Sequence, residues 1–213
     1  MTTNQSSRNL QNKSFIMGWL ILKKISSLTE AVKTFGYIFD YRAQKNWTEI
    51  PLSLRLKLGK LASCKVIDPE PNWIFEPPEE FINNLAKSSE IMHFSSYFQP
   101  VFSGLHPNLL EKNKSVTFVI AKNISEKVFS LFSKKQRGSQ LTENLDFYVY
   151  NGNSSIVSLT VTERFMALLL RDKKGKLDYR LLMSSESNAI EWGKELFDYY
   201  KDLSKKNSGK YYY

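Results

Sequence analysis

Of its 213 residues the chain has one cysteine, Cys64, and two histidines, His93 and His106. One cysteine excludes an internal disulfide framework and a cysteine-rich zinc site. The two histidines have no third ligand near them in sequence, so no metal or cofactor is expected. No phosphate-cradling glycine loop and no Gly-x-Ser-x-Gly elbow occurs, so no residue is assigned a catalytic role. No apolar run approaches the roughly 18 residues that cross a bilayer. Phe15–Leu22 is apolar but ends at Lys23-Lys24, where a signal peptide needs small residues. These absences favour a cytoplasmic binding protein over an enzyme or a membrane protein.

What is present is a packable, basic chain. Hydrophobic residues make up 42% and charged residues 24%, enough for a globular core. Thirty Lys and Arg against 21 Asp and Glu give a formal charge of +9. Such a balance fits contact with DNA or an anionic ligand, and equally a set of solubilising lysines. The basic residues are dispersed apart from short clusters at 134–137, 173–176 and 205–206.

Residues 1–13 are polar and are expected to form a disordered tail. No proline occurs before Pro51, and residues 14–88 read as a helical N-terminal segment. Within it Ile21, Ile25, Leu28, Val32, Phe35 and Phe39 alternate spacings of four and three. That is a heptad-like seam, which serves dimerisation or docking on the chain's own domain. Pro51 suits the start of a second helix, Cys64–Ile67 reads as a short strand, and Pro77-Pro78-Glu79-Glu80 opens a third helix.

From Ile91 onward apolar strands alternate with helices. Strands are predicted at 91–97, 116–121, 145–150, 156–161, 165–171 and 177–182, the last two flanking the turn Asp172–Gly175. Helices are predicted at 108–113 and 125–135, and a last amphipathic helix has Asn188 as its N-cap and Glu191 closing a capping box. Gly193 inside that helix implies close approach to a sheet. The fold class is α/β: a helical N-terminal segment, then a mixed sheet with helices on its faces over residues 89–205. Residues 206–213 are expected to be a flexible tail.

Sites in open α/β sheets form beyond strand ends. The candidate ligand residues are therefore Ser95, Ser96 and Tyr97, then Asn123, and Thr162 and Arg164 between later strands. Arg164 suits a carboxylate or phosphate, or a structural salt bridge. His93 on a strand face reads as a core or pocket residue, and Cys64 as a small buried hydrophobe.

Several stretches together carry a family resemblance. They are Ile50-Pro51, Phe75-Glu76-Pro77-Pro78-Glu79-Glu80-Phe81, Ser95-Ser96-Tyr97-Phe98-Gln99-Pro100, Thr162-Glu163-Arg164-Phe165, and Ala189-Ile190-Glu191-Trp192-Gly193 running to Leu196-Phe197-Asp198-Tyr199-Tyr200. In this order they resemble the middle domain of the archaeal methanogenesis-regulatory Fil proteins. Glu163 stands where that family usually has Asp. The resemblance implies a transcription-regulatory, ligand-sensing domain, and the seam implies a homodimer or a heterodimer with a full-length regulator. The family places a winged helix-turn-helix ahead of the long helix, and the polar residues before Gly18 carry no such pattern. The element order also looks like half of a phospholipase-D-type domain. Its His and Lys two residues on are missing, since Ser95 stands two residues after His93. A basic nucleic-acid-binding protein and a divergent phosphoesterase are the alternative readings.

Overall fold

The computed structural model describes residues 17–25, 36, 38–70, 77–98, 114–136 and 145–207. The chain divides into two units, Met1–Asp40 and Tyr41–Tyr213.

In the first unit residues 17–25 are helical. Ile21 and Ile25 are exposed, as are Met17, Trp19, Leu20 and Leu22 on the same nine residues. The apolar surface there extends beyond the narrow seam read from spacing. Phe39 is also exposed, while Leu28, Val32 and Phe35 lie outside the described residues.

The second unit is built on one eight-stranded sheet in the order β1-β7-β6-β5-β2-β3-β4-β8. Its strands are β1 (Lys65–Ile67), β2 (Glu90–Ser95), β3 (Ser115–Ala121), β4 (Leu145–Tyr150), β5 (Ile156–Thr162), β6 (Met166–Leu170), β7 (Leu181–Ser184) and β8 (Lys205–Lys206). The central strands β2, β3 and β4 are parallel, and every other neighbouring pair is antiparallel. The described helices of this unit are α1 (Leu52–Arg55), a 3-10 turn at Leu58–Leu61, α2 (Glu79–Ala86), α3 (Lys122–Gln136) and α4 (Ser187–Asp202). Residues 41–44 end a further helix.

Both sheet faces are covered, which explains strands that read as near-continuous apolar runs. Met92, Phe94, Val119, Leu159, Val161, Leu168 and Leu182 pack under α4, α1 and the 3-10 turn. Alternate residues Ile91, Val116, Phe118, Phe147, Ala167 and Leu169 pack under α2 and α3 through Leu85, Ile124 and Phe129. Trp192 of α4 is fully buried and donates its Nε1–H to Leu54 O at 2.9 Å. A Cβ on Gly193 would stand 2.6 Å from Met166 Cγ and 3.0 Å from Val161 Cγ2, so α4 meets the sheet as its glycine implied.

Several boundaries differ from the sequence reading. Residues 41–88 do not belong with the N-terminal helix. Tyr41, Ile50, Leu54, Leu61 and Cys64 are buried in the first core, and β1 pairs with β7. Lys206, expected in the tail, pairs with Tyr148 in β8 and meets Asp146 at 2.8 Å. Helix α4 starts at Ser187 with no side-chain cap, because Ser184 Oγ already accepts the Glu186 N–H and turns the chain early. Glu191 pairs with Lys60 at 3.1 Å instead of closing a capping box. Strand β7 begins only at Leu181, since Tyr179 takes φ 58° and breaks the ladder after the Asp172–Gly175 turn.

Candidate ligand-binding cleft

The three parallel strands end at one edge of the sheet, where β5 also begins and β6 ends. There a cleft of about 470 Å³ is lined by Glu49, Ser96, Ala121–Asn123, Asn151–Ser154 and Arg171. This volume falls in the ~300–1,000 Å³ range of small-molecule sites. Ser96 follows β2 and donates its hydroxyl to Ile156 O at 2.5 Å. Lys122 opens α3, whose positive dipole end therefore adjoins the cleft with no acidic residue in its first turn. A Cβ on Gly152 would stand 2.3 Å from Tyr150 Oη, the end of a side chain that donates to Asn153 O, so a larger residue there would displace that hydroxyl.

Arg171 stands immediately after β6. One guanidinium N–H donates to Gly175 O at 3.3 Å, and the group lies 6.0 Å from the Tyr97 ring centroid. Among the described residues, none of Glu49, Lys122 and Arg171 forms an ion pair.

The sequence candidates are divided between two ends of the sheet. Ser96 and Asn123 line the cleft, and Tyr97 carries Arg171 beside it. Ser95 is buried and spends its hydroxyl on Tyr97 O at 2.8 Å. Thr162 and Arg164 are elsewhere, because β5 runs antiparallel to β2 and Thr162 pairs with Ile91 at the start of that strand. Their role there is a turn: Thr162 Oγ1 accepts the N–H groups of Arg164 and Phe165 at 3.0 and 3.1 Å. Glu163 clamps the same end by accepting the N–H groups of Ser89 and Glu90 at 2.8 and 3.1 Å. Burial raises the Glu163 pKa, but these hydrogen bonds outweigh it and leave the carboxyl below its usual range.

Sequence reasoning missed Glu49, Lys122, Arg171 and the 151–154 turn as cleft residues. Asn151-Gly152-Asn153 was legible as a turn, and Arg171 as the end of a strand. Which strand ends share an edge is set by strand direction, which spacing does not reveal.

Behind the cleft, Arg171 is joined to the end of the 41–44 helix. Asn46 N–H donates to Arg171 O at 3.0 Å, and Lys173 N–H to Gln44 O at 3.0 Å. Lys45 between them is fully buried. It is paired with Asp178 and donates to Leu170 O at 3.1 Å. Asp178 also accepts from Arg180 Nε at 2.9 Å, and Arg180 reaches Gln44 Oε1 at 2.5 Å. Both cations face the Tyr41 ring, at 5.0 and 5.6 Å from its centroid. Burial lowers the Lys45 pKa, partly offset by Asp178. Burial also works to raise the Asp178 pKa, and the hydrogen bonds from Lys45 and Arg180 overcome it and hold the carboxyl low. Between these anchors stands Tyr179, and burial with the neighbouring Tyr97 hydroxyl raises its pKa.

Other reactive groups sit in the core. His93 Nδ1 meets Thr160 Oγ1 at 2.9 Å inside the sheet. Cys64 is buried, which pushes its thiol up to about 12. Among the described residues, no group of three His, Cys, Asp or Glu is placed to hold a metal, and no helix is long and apolar enough to cross a membrane.

Comparison with curated proteins finds no match. In shape the chain is similar to a structure described as "Structure of TrmBL2, an archaeal chromatin protein, shows a novel mode of DNA binding". The TM-score is 0.50 at 12% identity, over 97% of this chain and 72% of that one, a likeness of fold alone. A family model, that of the methanogenesis regulatory protein FilR1 middle domain, matches residues 74–203. That span is more than half of the chain and carries β2–β7 with every cleft residue except Glu49. The chain belongs to the FilR1 middle-domain family of methanogenesis regulatory proteins.

Proposed function

We propose that this protein is the ligand-responsive, dimerising part of a cytoplasmic transcription regulator of archaeal type, and that it works by binding rather than by catalysis. The observation that carries the reading is the pairing of residues 44–46 with 171–173. The cleft wall at Arg171 is thereby hydrogen-bonded to the end of a helix. A ligand that shifts Arg171 moves that helix end without any intervening element. The lining of hydroxyl, amide and charged groups is suited to holding a ligand by hydrogen bonds and ion pairs. The exposed apolar helix at 17–25 supplies a surface for a second copy of the chain or for a full-length relative.

The test combines two measurements on the full chain. A small-molecule library is screened by thermal shift, and each hit is followed by amide hydrogen exchange. A hit should change exchange at Asn46 and Lys173, and sedimentation should find a dimer at tens of micromolar. Hits that bind in the cleft yet leave both amides unchanged contradict ligand response. A monomer at that concentration contradicts dimerisation.

A further inference from the structure

We infer that the cleft takes a small organic dianion, two acid groups joined by a polar chain. This rests on the ligand-responsive reading and adds the chemical class. Arg171 follows β6 and Lys122 follows β3, with β5 and β2 between them. Three inter-strand steps of about 4.8 Å separate the two backbones by roughly 14 Å. The Arg171 guanidinium is held toward Tyr97 and Gly175, and its remaining N–H donors are available for one carboxylate or phosphate. That leaves Lys122, with the positive end of α3 beside it, to a second acid group.

The lining between them is neutral and polar: Ser96, Asn123, Asn151 and Asn153. These groups suit hydroxyl or amide substituents along the connecting chain. Glu49 is the one acid among the described lining residues. It opposes a third negative group and accepts a hydrogen bond from a hydroxyl or ammonium. Two cations and one carboxylate, none in an ion pair among the described residues, leave a net charge of +1. An apolar ligand would strip water from all three charges without compensation.

The experiment is isothermal titration of the full chain with glutarate, 3-phosphoglycerate, butyrate and xylitol, and with a short DNA duplex. The dianions should bind more tightly than butyrate, and xylitol least. Arg171→Gln and Lys122→Ala should each weaken the dianions at least about tenfold, the scale of one charge-assisted hydrogen bond. Lys122→Ala should leave butyrate unchanged, because a monoanion engages Arg171 alone. Melting curves identify any variant whose loss reflects misfolding, and Lys122→Gln, at an exposed position, is the second variant in that case.

Xylitol binding as tightly as the dianions overturns the class, as does dianion binding indifferent to both substitutions, or no binding by any probe. A duplex that displaces the dianion and is weakened by the same substitutions also overturns it, in favour of nucleic-acid phosphate. Exchange at Asn46 keeps the two readings apart. Xylitol binding that alters it rejects the dianion alone, and dianion binding that leaves it unchanged rejects the ligand response alone.

Discussion

Asn46 donates its backbone N–H to Arg171 O at 3.0 Å, so one residue of the cleft wall and one residue after a helix share a hydrogen bond. Arg171 lines the cleft while its carbonyl accepts a hydrogen bond from the residue after the helix. Tyr179 adds tension. Its φ of 58° is unfavourable for a bulky side chain, at roughly 1–2 kcal/mol, and its neighbours Asp178 and Arg180 are anchored to Lys45 and Gln44 on either side of it.

The Asp178 clasp gives the first prediction. Asp178→Asn removes the counter-charge of a fully buried lysine and should cost about 2–3 kcal/mol, below the usual 3–5 for fully buried pairs because Asp178 is partly exposed. Lys45→Met should cost less, since it keeps the stem and leaves Asp178 with Arg180. Urea denaturation of both variants checks this order. Equal losses, or a smaller one for Asp178→Asn, contradict it.

The same carboxylate sets a pH dependence. The Asp178 pKa is lowered on folding, so its stabilisation is complete above the unfolded value near 4. It is lost as pH falls through the lower folded value. Glu163 acts in the same direction through Ser89 and Glu90. Wild-type stability should therefore drop below about pH 4, and Asp178→Asn should flatten part of that drop. Parallel acid limbs for the two proteins would show that Asp178 contributes nothing to it.

What the sequence made legible followed from side-chain period. The strands around Phe94, Phe118 and Leu168 were readable as apolar runs, and Gly193 announced the packing of α4. Strand direction was not readable. Ser96 and Thr162 both close apolar strands, yet they lie at opposite ends because β5 reverses. The β7 start was missed because Tyr179 carries no glycine signal for its positive φ. Lys45 was passed over because a lysine in a polar stretch reads as exposed, and only its pairing with Asp178 makes burial tolerable. Arg171 and Lys122 became a site only when topology brought two separate strand ends to one edge.

Packing at Gly193 gives a prediction with two opposed terms. Alanine gains about 1 kcal/mol in helix propensity. Its Cβ would meet Met166 Cγ at 2.6 Å and Val161 Cγ2 at 3.0 Å, overpacking that costs about 1–3 kcal/mol. Met166 and Val161 are both fully buried, so neither has free space into which to turn away. Gly193→Ala should therefore be destabilising by about 1–2 kcal/mol net, and Gly193→Val far more. A thermal melt in which alanine raises the midpoint would mean that α4 can lift from the sheet.

The exposed helix at 17–25 gives the last prediction. Met17, Trp19, Leu20, Ile21, Leu22 and Ile25 are each about half or more exposed, from 49% for Leu20 to 67% for Leu22. Fully burying such a side chain contributes about 1.5–3 kcal/mol, against an association cost of about 4–15 kcal/mol. Each is already about half buried, so two or three per chain add roughly 3–9 kcal/mol, at the low end of that cost, whereas six on each of two chains add roughly 9–18 kcal/mol. Ile21 and Ile25 are one turn apart and face the same side. Ile21→Glu with Ile25→Glu puts like charges where two copies meet and should give monomers. The folded sheet unit should keep its melting midpoint, because neither residue belongs to its core. Sedimentation of wild type and double variant across 1–100 micromolar, as an order-of-magnitude range for such contacts, separates the outcomes. A wild type that stays monomeric throughout removes this helix as a dimer contact and returns it to docking within one chain.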